Sequence, residues 1–227
     1  MLGVLCWSKE RRGRLERVQL MGLTVLRVSI ASGGRWENHR LRRAARLLGR
    51  YGVRRVLVPP GFDGWQELNR RGLRAVDPVP LYRTMADRLV LAELARAGVK
   101  KERACVALRG EYVDADLARA ARLLCPQVRT LSIQVERGGE RLVRELYRTF
   151  GAAPQPEGKP NVVVCFGGAG KPGELVLCGR PELLGLELGM KDLTLPEGLE
   201  PMPLLTALWQ SGRLSLEELR VTAINFS

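Results

Sequence analysis

Between residues 55 and 150 the chain alternates short apolar runs with helix-periodic segments, and this alternation limits the possible folds more than any other feature. Arg55-Val-Leu-Val58, Leu73-Arg-Ala-Val76, Ala104-Cys-Val-Ala-Leu108 and Thr130-Leu-Ser-Ile-Gln-Val135 have the length and composition of strands. The intervening stretches 64–71, 81–97, 115–124 and 139–150 read as helices. Asp114 stands where an N-cap would open the third of them. A strand, helix, strand, helix order implies a mostly parallel sheet with right-handed crossovers and helices on both faces. The expected core is therefore a Rossmann-like three-layer α/β unit over residues 35–151.

The flanks differ. Residues 1–34 hold three apolar runs, broken at Gly13 and Gly22, and predict a small antiparallel strand unit. The apolar start lacks a charged leader and a small-residue cleavage site, so it reads as a first strand and not as a signal peptide. Ala152-Ala-Pro-Gln-Pro-Glu-Gly-Lys-Pro160 is the clearest linker. Beyond it, 161–227 predicts a β-hairpin-containing tail with short helical or irregular pieces at 204–210 and 216–221, packed on the same core. No apolar stretch approaches the roughly 18 residues of a membrane span. No internal sequence repeat is evident.

Charge is concentrated at one end. Residues 1–60 hold 14 Lys or Arg against 3 Asp or Glu, whereas the rest of the chain holds 23 against 21. Arginine outnumbers lysine 31 to 6, which base composition alone explains, but base composition does not explain the missing acids. Glu37 to Tyr51 reads as an amphipathic helix with Leu41, Ala44, Ala45, Leu48 and Tyr51 on its apolar side. Arg42, Arg43, Arg46 and Arg50 then form a basic outer face, joined by a basic tip at Lys9, Arg11, Arg12 and Arg14. Such a face fits an acidic protein or, less specifically, the phosphate backbone of nucleic acid. Aromatic residues are only 5% of the chain, which leaves few platforms for base stacking.

Five cysteines, an odd number without a C-x-x-C pair, are expected to be reduced in a cytoplasmic setting, with Cys105 and Cys165 buried. One histidine, His39, removes most zinc and Ser-His-Asp chemistry. No metal site is predicted.

Gly168-Ala-Gly170-Lys-Pro-Gly173 has the G-x-G-x-x-G spacing of a dinucleotide loop, with Glu187 where a ribose-binding acid would stand. A helix should follow, yet Glu174-Leu-Val-Leu-Cys178 is strand-like and Pro181 closes the stretch. The expected structure is thus a loop joining two antiparallel strands. It is not a Walker A loop, since Lys171 is followed by proline. The 104–150 segment resembles the strand-helix-strand-helix unit of Rossmann-type NAD(P)-binding domains. That resemblance implies a shared fold. Its glycine positions, however, are filled by Arg109-Gly-Glu-Tyr-Val-Asp-Ala-Asp116, whose carboxylates would repel a pyrophosphate.

Ligands of open parallel sheets bind beyond the carboxyl ends of the strands. On this reading those ends carry Asp63, Asp77, Arg109, Glu111, Arg137, Gly138 and Gly139, with the arginines as anion anchors and the carboxylates as acid or base. The resulting expectation is a non-catalytic or catalytically degenerate protein that binds an anionic small molecule or an acidic protein, with no cofactor. The alternatives are a nucleotide- or NAD(P)-dependent enzyme with an atypical phosphate loop, and sequence-nonspecific nucleic-acid binding through the basic N-terminal region.

Overall fold

Short apolar runs do become strands and periodic segments do become helices, but the strands sort into two main sheets. The computed structural model describes residues 1–8, 14–31, 33–151, 159–191 and 195–223. The basic tip at 9–13 and residues 152–158 of the linker lie outside the described residues. The chain divides into two compact units, Met1–Pro78 with Met190–Leu219, and Val79–Gly189 with Arg220–Ser227.

In the first unit, β1 (Leu2–Ser8), β2 (Arg14–Leu20) and β3 (Leu23–Ala31) precede α1 (Glu37–Arg50), β4 (Arg55–Leu57), α2 (Trp65–Asn69) and β5 (Arg74–Ala75). The sheet order is β2-β3-β1-β4-β5. The antiparallel unit expected over 1–34 is corrected here. Only β2 and β3 run antiparallel, through a turn in which Met21 and Gly22 both have positive φ. β1 instead lies between β3 and β4 and is parallel to both. Its burial explains this, because Val4 and Leu5 point to opposite faces and both are buried, which suits a central strand. α1 covers the sheet with Leu41, Ala44, Ala45 and Leu48, all buried. Tyr51, expected on that apolar side, is 53% exposed. α7 (Pro201–Gln210) belongs to the same unit, and the Glu200 N–H that precedes it donates to Val58 O at 3.0 Å. It begins three residues earlier than expected, since proline is tolerated at the first helical position.

The second unit opens with α3 (Val79–Thr84) and α4 (Ala86–Arg96), two helices where one was expected, separated at Met85. Then come β6 (Cys105–Tyr112), α5 (Ala115–Leu124), β7 (Thr130–Arg137), α6 (Gly139–Phe150), β8 (Val162–Cys165) and β9 (Leu175–Val176). The order is β7-β6-β8-β9, with every pair parallel. Val106, Ala107 and Leu108 are consecutive and buried, so β6 is covered on both faces. α4 packs on β8 and α5, and α6 packs on β7. Cys105, at the start of β6, is only half-buried, in contrast to the burial expected for it.

The predicted hairpin is also corrected. β8 and β9 pair in parallel, Val164 with Leu175 and Cys165 with Val176, so 166–174 is a crossing loop and not a hairpin turn. No helix follows Gly173, as expected. The antiparallel pair of the C-terminal region is β10 (Leu186–Met190) with β11 (Leu219–Ala223), where the chain passes between the two units and back. Residues 216–221, read as a short helical or irregular piece, form one 3-10 turn at Leu216–Glu218 and then enter β11. No helix among the described residues is long and apolar enough to cross a membrane.

Candidate functional site

In the second unit the chain leaves β6 towards β7, returns across β6 through α6 to β8, and moves on to β9. The loops after β6 and β8 therefore diverge at neighbouring strand ends, the place where an open α/β sheet forms a crevice. The loop after β8 comes close to β6. Phe166 N–H donates to Arg109 O at 2.7 Å, and a Cβ on Gly167 would lie 3.4 Å from the Glu111 backbone nitrogen. Gly168 has φ +81, which a side chain would strain.

Three side chains hold the carbonyls of this loop. The Cys165 thiol donates to Gly167 O at 3.3 Å, the Cys178 thiol to Gly168 O at 3.5 Å, and Arg109 Nη2 to Ala169 O at 2.9 Å. In a trans peptide the N–H of the next residue points opposite to the carbonyl, and no cis bond is present. The N–H groups of Gly168, Ala169 and Gly170 are accordingly turned away from these three anchors. Among the described residues no protein acceptor takes them. Gly170 must lack a side chain, because a Cβ there would sit 2.5 Å from Val176 Cγ2.

Arg109 is fixed in turn by an ion pair with Glu174, which also accepts the Lys171 N–H at 2.9 Å. The hydrogen bond that Arg109 donates to Glu174 raises the Arg109 pKa further, so its charge is constant. Burial pushes the Cys178 thiol up, with a contribution from Cys165, against the opposing charges of Arg83 and Arg109. Both effects keep Arg109 and Cys178 as donors at neutral pH. Beside the loop lies a cavity of about 500 Å³, lined by residues 168–172 together with Val176, Cys178, Arg180 and Glu182. Lys171 and Arg180, both exposed, bring positive charge to it, and Glu182 brings one carboxylate.

The loop after β6 has a different character. Asp114 caps α5, accepting the Leu117 N–H at 2.9 Å, as its position predicted. Arg83 pairs with Asp114 and with Asp116 Oδ2 at 3.0 Å, and its guanidinium stands 5.4 Å from the centre of the Phe166 ring. Carboxylates thus already occupy the α5 N-terminus, and an anion has no place there. Asp114→Ala removes both the cap and one of the two acidic partners of Arg83. It is expected to cost about 1–2 kcal/mol, measured as a lower urea midpoint.

Of the residues singled out by the sequence, Arg109, Glu111, Gly168, Gly170 and Gly173 fall together around this loop. Gly138 alone links Arg137, the last residue of β7, to Gly139, the first of α6. There Gly138 has φ +81, and a Cβ on Gly139 would meet Val135 at 2.8 Å, so both glycines have a local structural reason. Asp63 and Asp77 are exposed in loops of the first unit, served by the other sheet. Glu187 is exposed on β10; its charge, after burial, helps push the Tyr82 hydroxyl up to about 12. Arg42, Arg43, Arg46 and Arg50 are exposed on α1 as expected. Arg42 is held by Glu67 through two hydrogen bonds of 2.8 and 3.0 Å, which hold the Glu67 carboxyl below its usual range. The anchors Cys165 and Cys178 and the flanking Arg180 were not picked out by sequence reasoning. Their one sequence signal is a pair of cysteines bracketing a glycine-rich stretch. Among the described residues no cluster of three or more His, Cys, Asp or Glu is arranged to hold a metal ion. No protein-family model matches the chain, and a search of curated proteins finds no match.

Proposed function

We propose that the chain is a binding protein for a small phosphate-bearing ligand, held by the loop after β8 on a Rossmann-like three-layer unit. The observation that carries this reading is the row of Gly168, Ala169 and Gly170 N–H groups, left without acceptors because their carbonyl partners are tied down from the other side. Successive main-chain donors held in this way make an anion-binding concavity without a helix N-terminus. Lys171 and Arg180 supply the charge, and the absence of a side chain at Gly168 lets a phosphate approach the backbone. The three-layer reading is supported by the all-parallel order and by burial of β6 on both faces.

Glu111 and Glu182 refine the ligand class. Glu111 Oε1 lies 3.9 Å from the position of a Cβ on Gly168, and Glu182 lines the cavity. Carboxylates beside an anion site repel a second anion but accept hydrogen bonds from hydroxyl groups. A phosphomonoester of a polyhydroxy compound fits better than a pyrophosphate. Calorimetry with inorganic phosphate, ribose 5-phosphate and ribose tests this. Ribose 5-phosphate is expected to bind more tightly than inorganic phosphate, and ribose not at all. No binding of either phosphate at millimolar concentration would contradict the proposal.

A further inference from the structure

We propose that Cys165 and Cys178 are a redox-active dithiol whose oxidation to a disulfide releases the loop after β8, so that ligand binding at that loop is under thiol control. This rests on reading the loop as the ligand site. The two Sγ atoms are 3.9 Å apart, already in contact. Among the described residues Cys6, Cys105 and Cys125 have no thiol neighbour of this kind. Cys165 is fully buried at the end of β8, whereas Cys178 is half-buried and lines the cavity, so reagents reach Cys178 first.

Both thiols act as hydrogen-bond donors to the loop, and a disulfide has no S–H to donate. Closing the bond brings the sulfurs from 3.9 Å to about 2.0 Å and removes the donors to Gly167 O and Gly168 O in one step. Two of the three carbonyl anchors vanish, leaving only Arg109 on Ala169. The peptide planes that present the Gly168 and Ala169 N–H groups are then free to rotate. Cys178 attacks as its thiolate, and the charges of Arg83 and Arg109 offset part of the upward push that burial and Cys165 give its thiol.

The oxidant is a small-molecule disulfide. The Cys178 thiolate attacks one of its sulfurs, forming a mixed disulfide and expelling one small thiolate. The Cys165 thiol, buried from solvent, passes its proton to the departing small thiolate as it attacks Cys178 Sγ, so the second small thiol leaves. Two protein thiols are oxidised, one small disulfide is reduced to two thiols, and two electrons pass between them.

The experiment treats the full chain with oxidised glutathione, maps disulfides by peptide mass, and records ribose 5-phosphate affinity and the amide resonances of Gly168 to Gly170 before and after. The expected result is a Cys165–Cys178 link with loss of two hydrogens, an affinity at least tenfold lower, and full recovery with dithiothreitol. Cys178→Ser, which removes the attacking thiol, is expected to form no internal link, and its affinity, whatever its starting value, is expected not to change when glutathione is added. A glutathione adduct that persists on Cys178, or an internal link that leaves the affinity and the amide resonances unchanged, would overturn the proposal. If the reduced protein binds no ribose 5-phosphate, the ligand-site reading fails. The dithiol is then judged by the link and by its effect on the loop amides alone.

Discussion

Replacing both Lys171 and Arg180 by alanine is expected to weaken ribose 5-phosphate binding by roughly a hundredfold, with little change in stability. A hydrogen bond from a charged donor contributes about 1.5–3 kcal/mol when buried, and exposure to solvent brings each of these two nearer the lower end. About 1.4 kcal/mol is a factor of ten, so two such contacts give the stated loss. Both side chains are exposed and neither holds the loop backbone, which is why the fold should survive. The control is Arg141→Ala with Arg148→Ala, two exposed arginines of α6 outside the 168–182 cavity. That variant loses the same formal charge and is expected to bind within twofold of the parent. Equal losses in the two double variants would mean that the ligand senses net charge and not this loop.

Leu108→Ala is expected to lower stability by about 2–5 kcal/mol, as burying and then deleting a leucine side chain does elsewhere. Leu108 is fully buried in β6, with Ile133 of β7 and Val164 of β8 as its register partners. A cavity there lies under the middle of the parallel sheet, where neither neighbouring strand end can collapse into it. Urea unfolding followed by circular dichroism measures the effect. A loss below about 1 kcal/mol would show that the centre of this sheet is loosely packed, against the burial of its neighbours.

The helices were legible in the sequence because their signals are local. Asp114 marks the start of α5 and Gly138 the entry to α6, and the predicted bounds of both helices match the structure. Strand pairing was not legible, since an apolar run does not say which run lies beside it. β8 and β9 flank a glycine-rich loop and look like a hairpin, yet β9 has only two residues and crosses to run parallel. β1 looks like one member of a meander, but burial of Val4 and Leu5 on both faces draws β4 to its free side. The two sheets also share an order, β3-β1-β4-β5 and β7-β6-β8-β9, without any sequence repeat, because topology needs only the pattern of apolar runs and not their identity. In the first unit β2 stands where α5 stands in the second, between the first and second strands of that shared order.

The site was partly legible. Glycine spacing pointed to the loop after β8 and to its lack of a following helix, while Arg109 was read as an anion anchor. Its guanidinium in fact binds Ala169 O and Glu174, so it shapes the loop and is not free to meet a ligand. Cys165 and Cys178 read as apolar strand residues, since nothing in their spacing tells that both sulfurs meet the same loop.

The most direct measurement is a titration of isotopically labelled protein with ribose 5-phosphate, followed through the backbone amide resonances. Gly168, Ala169 and Gly170 are expected to move downfield together along one binding curve, with Lys171 shifting less and α1 remaining still. Saturable shifts confined to other residues, or no shift at these three amides at millimolar ligand, would contradict the assignment of the loop after β8 as an anion site.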